Sequence, residues 1–167
     1  MIQTQRLTLQ PLTYEQLVKY MACDNSLETE LNLAPSGRSM SPELLEAFEQ
    51  TILPHVKDAT RNYLYNTLWT AISRADNQMV GDICIVGDPN AAGEIEIGYG
   101  TYDAFQRKGF MTEAVGGIIS WIKKQPDVKA IIADTEKSNR ASFAVLEKNG
   151  FIKVDETATL FRWRLGV

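Results

Sequence analysis

Only two cysteines, Cys23 and Cys84, and one histidine, His55, occur among the 167 residues, and these shortages exclude several kinds of protein. Two distant cysteines without C-x-x-C spacing give neither a disulfide framework nor a thiolate zinc site. Cys84 lies in the apolar run Ile83 to Val86, the usual setting of a small buried thiol. A lone histidine beside Pro54 removes metal sites built on histidine clusters, so no metal is expected and His55 reads as a surface residue. No apolar run approaches the roughly 18 residues that cross a bilayer. The opening Met1 to Arg6 lacks the apolar core of a secretory signal, so no membrane partner is expected and the setting is read as cytoplasmic and reducing. Positive charge is scarce too: 17 Lys and Arg against 21 Asp and Glu leave a net charge of -4, which argues against nucleic acid as a partner. Finally, the glycines form neither G-x-x-x-x-G-K-[ST] nor G-x-G-x-x-G, so neither a nucleoside triphosphate loop nor a dinucleotide fingerprint is supported.

What is present is an ordinary globular composition, 44% hydrophobic and 23% charged, long enough for one buried core and too short for a comfortable second. A single domain over residues 1–167 is expected. Arg6 to Leu12 alternates apolar and polar residues as a half-buried strand does, and Thr13 with Gln16 makes a capping box for a first helix. Residues 24–40 have no strong period and read as a variable connection, while Ser41 and Pro42 cap a helix with the face Leu44, Leu45, Phe48 and Ile52. The period then falls to two: strands are expected over 63–73, 79–86 and from Glu94, joined as an antiparallel meander. A helix after Gly109, a strand over 128–134, a helix over 138–148 closed by Gly150, and strands over 151–154 and 159–165 complete the order. This is an α/β chain, α+β in its mixed sheet, with about seven strands and about four flanking helices.

The most informative stretch runs from Glu94 to Ala114: a strand, a short glycine-containing turn, then an amphipathic helix whose stripe is Ala114, Val115, Ile118, Ile119 and Ile122. The first N–H groups of such a helix lack intrahelical partners and carry the positive end of the peptide dipoles. Gly109 allows close approach of the backbone to an anion, and Arg107 and Lys108 add full charge. On its own, a turn of this kind can equally bind nothing.

Gln106-Arg-Lys-Gly109-Phe-Met111 resembles the [QR]-x-x-G-x-[GA] pyrophosphate loop of the GNAT superfamily of N-acetyltransferases. Asn139-Arg-Ala-Ser142, with the helix ending Glu147-Lys-Asn-Gly150-Phe151, resembles that family's second signature, and the two stand in the right order with a strand between them. The opening Thr4-Gln-Arg6-Leu-Thr-Leu-Gln-Pro11-Leu is similar to the start of the branch containing ribosomal-protein N-terminal acetyltransferases and small-molecule relatives. Met111 departs from the family's usual Gly or Ala, which is expected to narrow the cofactor channel or shift the helix start.

The resemblance implies an acetyl-CoA-dependent N-acetyltransferase with a splayed central strand pair. Lys108, Gly109, Phe110, Met111 and Thr112 would hold the pyrophosphate through backbone N–H groups, with Gln106 and Arg107 at its edge and Asn139 nearby. The pantetheine arm would lie along Tyr99, Gly100 and Thr101 as an added strand, with a bulge at Gly98 and Gly100 opening the gap. Glu94 and Glu96 alternate onto one strand face as candidate general bases, and Glu96 is the choice by the family's acidic position. The Tyr99 N–H would face the thioester oxygen. Leu146 occupies the place of the tyrosine that many relatives use as general acid, so Ser142 is offered instead, against an ordinary helical role for Ser142 and a capping role for Asn139.

The acceptor would be a primary amine of a small molecule or a protein N-terminus. Segment 24–40, Tyr63, Tyr65 and Trp69 are expected to shape its pocket, with Asp24, Glu28 and Glu30 attracting a cation. The alternating end from Leu160 to Leu165 is a candidate homodimer edge. The competing expectation is a non-catalytic acyl-CoA sensor or interaction module on the same fold.

Overall fold

The computed structural model describes residues 1–167, the side chain of Glu43 excepted. One eight-stranded sheet runs through the molecule in the order β1-β2-β3-β4-β5-β6-β8-β7. Its strands are β1 (Ile2–Gln3), β2 (Leu7–Pro11), β3 (Leu68–Ser73), β4 (Gln78–Ile85), β5 (Glu94–Thr101), β6 (Ala130–Glu136), β7 (Ile152–Glu156) and β8 (Leu160–Gly166). Every neighbouring pair is antiparallel except β5 and β6, which are parallel. The expected meander is thus β3, β4 and β5, and the two-residue β1 is the strand that alternation was too short to announce.

On one face lie α5 (Phe110–Ile122) and α6 (Arg140–Lys148); on the other lie α1 (Tyr14–Ala22), α2 (Ser26–Glu30), α3 (Pro42–Ala47) and α4 (Leu53–Lys57). A π-helical turn, Phe48–Ile52, joins α3 to α4 without a break, so these pieces count as one helical stretch and bring the helices to five. The Thr13 capping box and the Ser41 cap with Pro42 behind it start α1 and α3 as their sequences dictate. Two cores result. Leu7, Leu9, Ile83, Ile95, Ile97, Ala114, Ile118 and Ile131 pack beneath α5, while Leu12, Leu17, Tyr20, Leu27, Phe48, Ile72 and Met79 pack beneath α1 to α4.

Three boundaries differ from the expectation. Tyr63–Tyr65 forms a 3-10 turn capped by Asn62 and the strand begins only at Leu68. The aromatic richness that suggested a longer strand serves the core instead: Tyr65 and Trp69 are buried against Trp121, on the α5 side. Residues 24–40 contain α2 and are not wholly a connection. The segment Leu160 to Leu165 lies in β8, paired on one side with β6 and on the other with β7, so it is not an edge.

Candidate functional site: a cleft where two parallel strands part

Strands β5 and β6 are paired only over Glu94–Ala130, Ile95–Ile131 and Glu96–Ile132. Beyond that point β5 follows β4 while β6 follows β8, and a gap opens. Along β5, the Val86 N–H donates to the Glu96 carbonyl (2.8 Å) and the Tyr102 N–H donates to the Val80 carbonyl (3.0 Å). Antiparallel bonding alternates, so the even-numbered residues of β5 bond to β4, and the main-chain groups of Tyr99 and Thr101 point into the gap. The expected bulge at Gly98 and Gly100 is not what opens it. Pairing of β4 with β5 is unbroken from Gly81–Thr101 to Ile85–Ile97, and the bulge lies one strand further in, between β3 and β4. The gap arises because β6 has a better partner in β8, with which it pairs along its whole length.

The gap widens into a cleft of about 590 Å³. One wall is Tyr99, Gly100 and Thr101; the end wall is Phe105, Gln106, Arg107, Gly109, Phe110, Met111 and Thr112; the other is Asn139, Ser142 and the helical stripe Ala141, Ala144, Val145 and Lys148. All the predicted cofactor residues except Lys108 line it. Lys108 turns its ammonium over the Phe105 ring (5.1 Å). Among the described residues the lining holds two cations, Arg107 and Lys148, and no carboxylate, in a chain of net charge -4. Lys148 and the small residues before it are lining that sequence reasoning missed; their spacing of three and four was the available signal.

The turn itself is built for an anion. Arg107 and Gly109 both have left-handed backbone, φ 60° and 77°, a conformation costing a non-glycine residue roughly 1 kcal/mol or more. The first bond entering α5 is Glu113 N–H to the Gly109 carbonyl (3.2 Å), so the N–H groups of Phe110, Met111 and Thr112 precede the first intrahelical acceptor. Arg6 braces this turn from outside. Its Nη1 donates to the Lys108 carbonyl (3.0 Å), its Nε to Glu113 (2.6 Å), and its guanidinium lies 4.7 Å over the Phe110 ring. Burial pushes the Glu113 carboxyl up, but hydrogen bonds from Thr4 and Arg6 outweigh this and hold it below the usual carboxylate range. Met111 lines the end wall of the cleft and is largely buried. Its side chain is 5% exposed and packs over Gly81, where a Cβ would meet its Cε at 2.9 Å.

Glu96 is half-buried and outside the cleft lining. It lies on the opposite sheet face from Tyr99, at the last paired position before the strands part. Glu94 is tied to Arg164 (3.1 Å), which holds its carboxyl below the ordinary value, and Arg162 makes two bonds to Asp134 (2.9 and 2.7 Å). Those partners leave Glu96 without an ion pair among the described residues. Asn139 does cap α6, its Oδ1 accepting from the Ser142 N–H (3.1 Å), while also lining the cleft. Ser142 Oγ lies 2.8 Å from the Tyr99 hydroxyl. Leu146 is fully buried.

Of the residues expected to attract a cation, Glu28 and Glu30 already have ion-pair partners, and Asp24 has a hydrogen bond but no ion pair among the described residues. Asp24 accepts from the Ser26 N–H, Glu30 pairs with Lys19 (2.6 Å), and Glu28 is buried with Arg38 (3.1 Å). Burial raises Glu28, yet bonds from Arg38 and Ser36 prevail and keep it low. Arg38 also stacks on Tyr20 (4.1 Å), whose hydroxyl shares the Asp82 carboxylate with that of Tyr102 (2.7 and 2.6 Å). This polar cluster ties the 24–40 segment to β4 and to the residue that opens the turn, and no local pattern announced it. Among the described residues no group of His, Cys, Asp and Glu could hold a metal ion, and no helix is long and apolar enough to cross a membrane.

A parallel strand pair thus parts over a cleft lined by two cations and headed by a helix N-terminus. Residues 6–152 match the Acetyltransferase (GNAT) domain, and the chain belongs to that family of N-acetyltransferases. It is 28% identical over 166 residues to an uncharacterized N-acetyltransferase, YjdG of Bacillus subtilis (strain 168), covering 98% of this chain and 96% of the relative. Its fold is similar to that of a ribosomal-protein-S5-alanine acetyltransferase from Vibrio fischeri (TM-score 0.71, 18% identity, 98% of this chain and 94% of the other). It is also similar to that of a spermidine N-acetyltransferase from Vibrio cholerae in complex with CoA and spermine (TM-score 0.66, 14% identity, 96% and 95%).

Proposed function

We propose that the protein transfers the acetyl group of acetyl-CoA to a primary amine, of a small molecule or a protein N-terminus, by direct attack on the thioester. The observation that carries this reading is the parting of β5 from β6 at Glu96. It leaves an unpaired strand edge and a cationic cleft on one face of the sheet and an unpaired carboxylate on the other. The N–H groups from Lys108 to Thr112 take the pyrophosphate, Arg107 and Lys148 meet the remaining phosphate charge, and the arm adds to the edge at Tyr99 to Thr101. Glu96, directly or through one water, removes the proton from the amine. As nitrogen attacks, charge develops on the thioester oxygen, and the Tyr99 N–H, which points into the gap, supplies a donor there. Ser142, in the first turn of α6, faces the departing sulfur.

Free-thiol release from acetyl-CoA across peptides, polyamines, amino acids and aminoglycosides tests the reading. Release with at least one class of amine is expected. Thermal stabilisation by acetyl-CoA with no release from any amine would instead support the non-catalytic sensor.

A further inference from the structure

The reaction leaves one group unassigned: the hydroxyl of Tyr99, on the cleft side of β5. Tyr99 is the innermost β5 residue lining the cleft, since Glu96 and Ile97 do not reach it. Its hydroxyl crosses to the opposite wall, to Ser142 Oγ at 2.8 Å and to the Ser142 carbonyl at 3.2 Å. Leu146, one turn further along α6, is sealed in the core and offers no hydroxyl. Among the described residues, the side-chain hydroxyls joined across the cleft are those of Tyr99 and Ser142.

We infer that Tyr99 is a positioning residue for thiolate departure: its phenol donates to Ser142 Oγ and so turns the Ser142 proton toward the thioester sulfur. This inference rests on the acetyl-CoA reading above and adds a role to it. In the 2.8 Å contact either oxygen can donate; the inferred role has the phenol as donor, its proton on Ser142 Oγ rather than on the Ser142 carbonyl at 3.2 Å. Ser142 Oγ then keeps its own proton for the sulfur: among the described residues its hydrogen-bond contact is the Tyr99 hydroxyl. Burial pushes the Tyr99 hydroxyl up to about 12, so it stays a donor throughout the working pH range. Ser142 is also the third residue of α6, where the helix dipole favours negative charge nearby.

The step balances without a proton leaving Tyr99. The nitrogen–carbon bond forms, the carbon–sulfur bond breaks, and its electron pair remains on sulfur. The amine proton leaves through Glu96, and the thiolate departs with a hydrogen bond from Ser142. A coenzyme thiol resembling free cysteine, with a pKa of about 8.5, needs no stronger acid than that.

The test is a double-mutant cycle of Tyr99→Phe and Ser142→Ala on the full chain, with acetyl-CoA and an amine that the wild type acetylates. Each single variant should lower kcat about tenfold, the scale of one lost hydrogen bond to a developing charge. KM for acetyl-CoA, and its affinity by calorimetry, should stay within about twofold, which also certifies folding. The decisive figure is the double variant, expected to be no slower than Ser142→Ala alone because Tyr99 acts through Ser142. A Tyr99→Phe enzyme as fast as wild type, or a double variant slowed by the product of the two effects, overturns the inference while leaving acetyl transfer intact. A wild-type protein that releases no thiol overturns both.

Discussion

At the scale of the residue, the proposed base Glu96 offers a way to separate catalysis from binding. It lies on the sheet face away from the cofactor cleft, so Glu96→Gln should slow transfer by roughly 10²- to 10⁴-fold, the range of general-base contributions. Acetyl-CoA affinity should be nearly unchanged, and steady-state rates beside a binding isotherm check both; an enzyme of full activity would remove Glu96 from the mechanism. Gly81 tests the support behind the β5 wall of the cleft. A Cβ there would lie 2.4 Å from the Gly100 carbonyl oxygen, which is backbone and cannot swing aside. Gly81→Ala should therefore displace β5 from β4, read as a fall in melting temperature together with weaker acetyl-CoA binding. The residues of the cleft are largely legible in sequence because a turn and helix start are local: Gln106 to Thr112 need only their own order to be recognised. Arg6 is different. Its place against Glu113 depends on a contact across the fold, and alternation around Leu7 says nothing about it.

At the scale of the element, the tie between the 24–40 segment and α1 hangs on Arg38. Its side chain and that of Glu28 are 3% and 2% exposed, so removing one charge strands the other in the interior. Arg38→Met should cost about 3–5 kcal/mol, measured by urea unfolding, whereas the double variant with Glu28→Leu should regain much of it. Equal stability of the single variant and wild type would show that the pair is not buried in solution. Helices α1, α3 and α5 are announced by caps and stripes, which are local chemistry. The buried pair is not, because Glu28 reads as one more solvated acid until the chain folds Arg38 over it. The strand expected from Tyr63 fails for the same reason: Tyr65 and Trp69 carry strand-like aromatic character, but what they satisfy is the core beneath Trp121.

At the scale of the whole molecule, two sets of carboxyls respond oppositely to pH. Glu28, Glu113 and Asp134 are held below their ordinary values by Arg38, Thr4, Arg6 and Arg162. Their stabilisation is complete above the ordinary carboxylate range of about 4 and is lost as pH falls through the lowered values. Asp82 runs the other way. Burial raises it despite donation from Tyr102 and Tyr20, so its contribution is complete below the ordinary range and lost as pH rises through the raised value. Melting temperature should thus fall on acidification below about pH 4. The Asp82→Asn variant should lose less stability than wild type on going from pH 5 to pH 8; parallel curves would contradict this. The mixed sheet is legible from the order of periods along the chain, yet the strand order β6-β8-β7 is not, since nothing local distinguishes an interior strand from an edge. That order matters, because it draws β6 away from β5 and makes the cleft.

Titration calorimetry of the full chain with acetyl-CoA tests the central claim most directly. Saturable binding of one molecule per chain is expected, abolished or strongly weakened when Gly109 is replaced by a β-branched residue that cannot hold φ 77°. No heat at millimolar acetyl-CoA, or binding indifferent to Gly109, would contradict it.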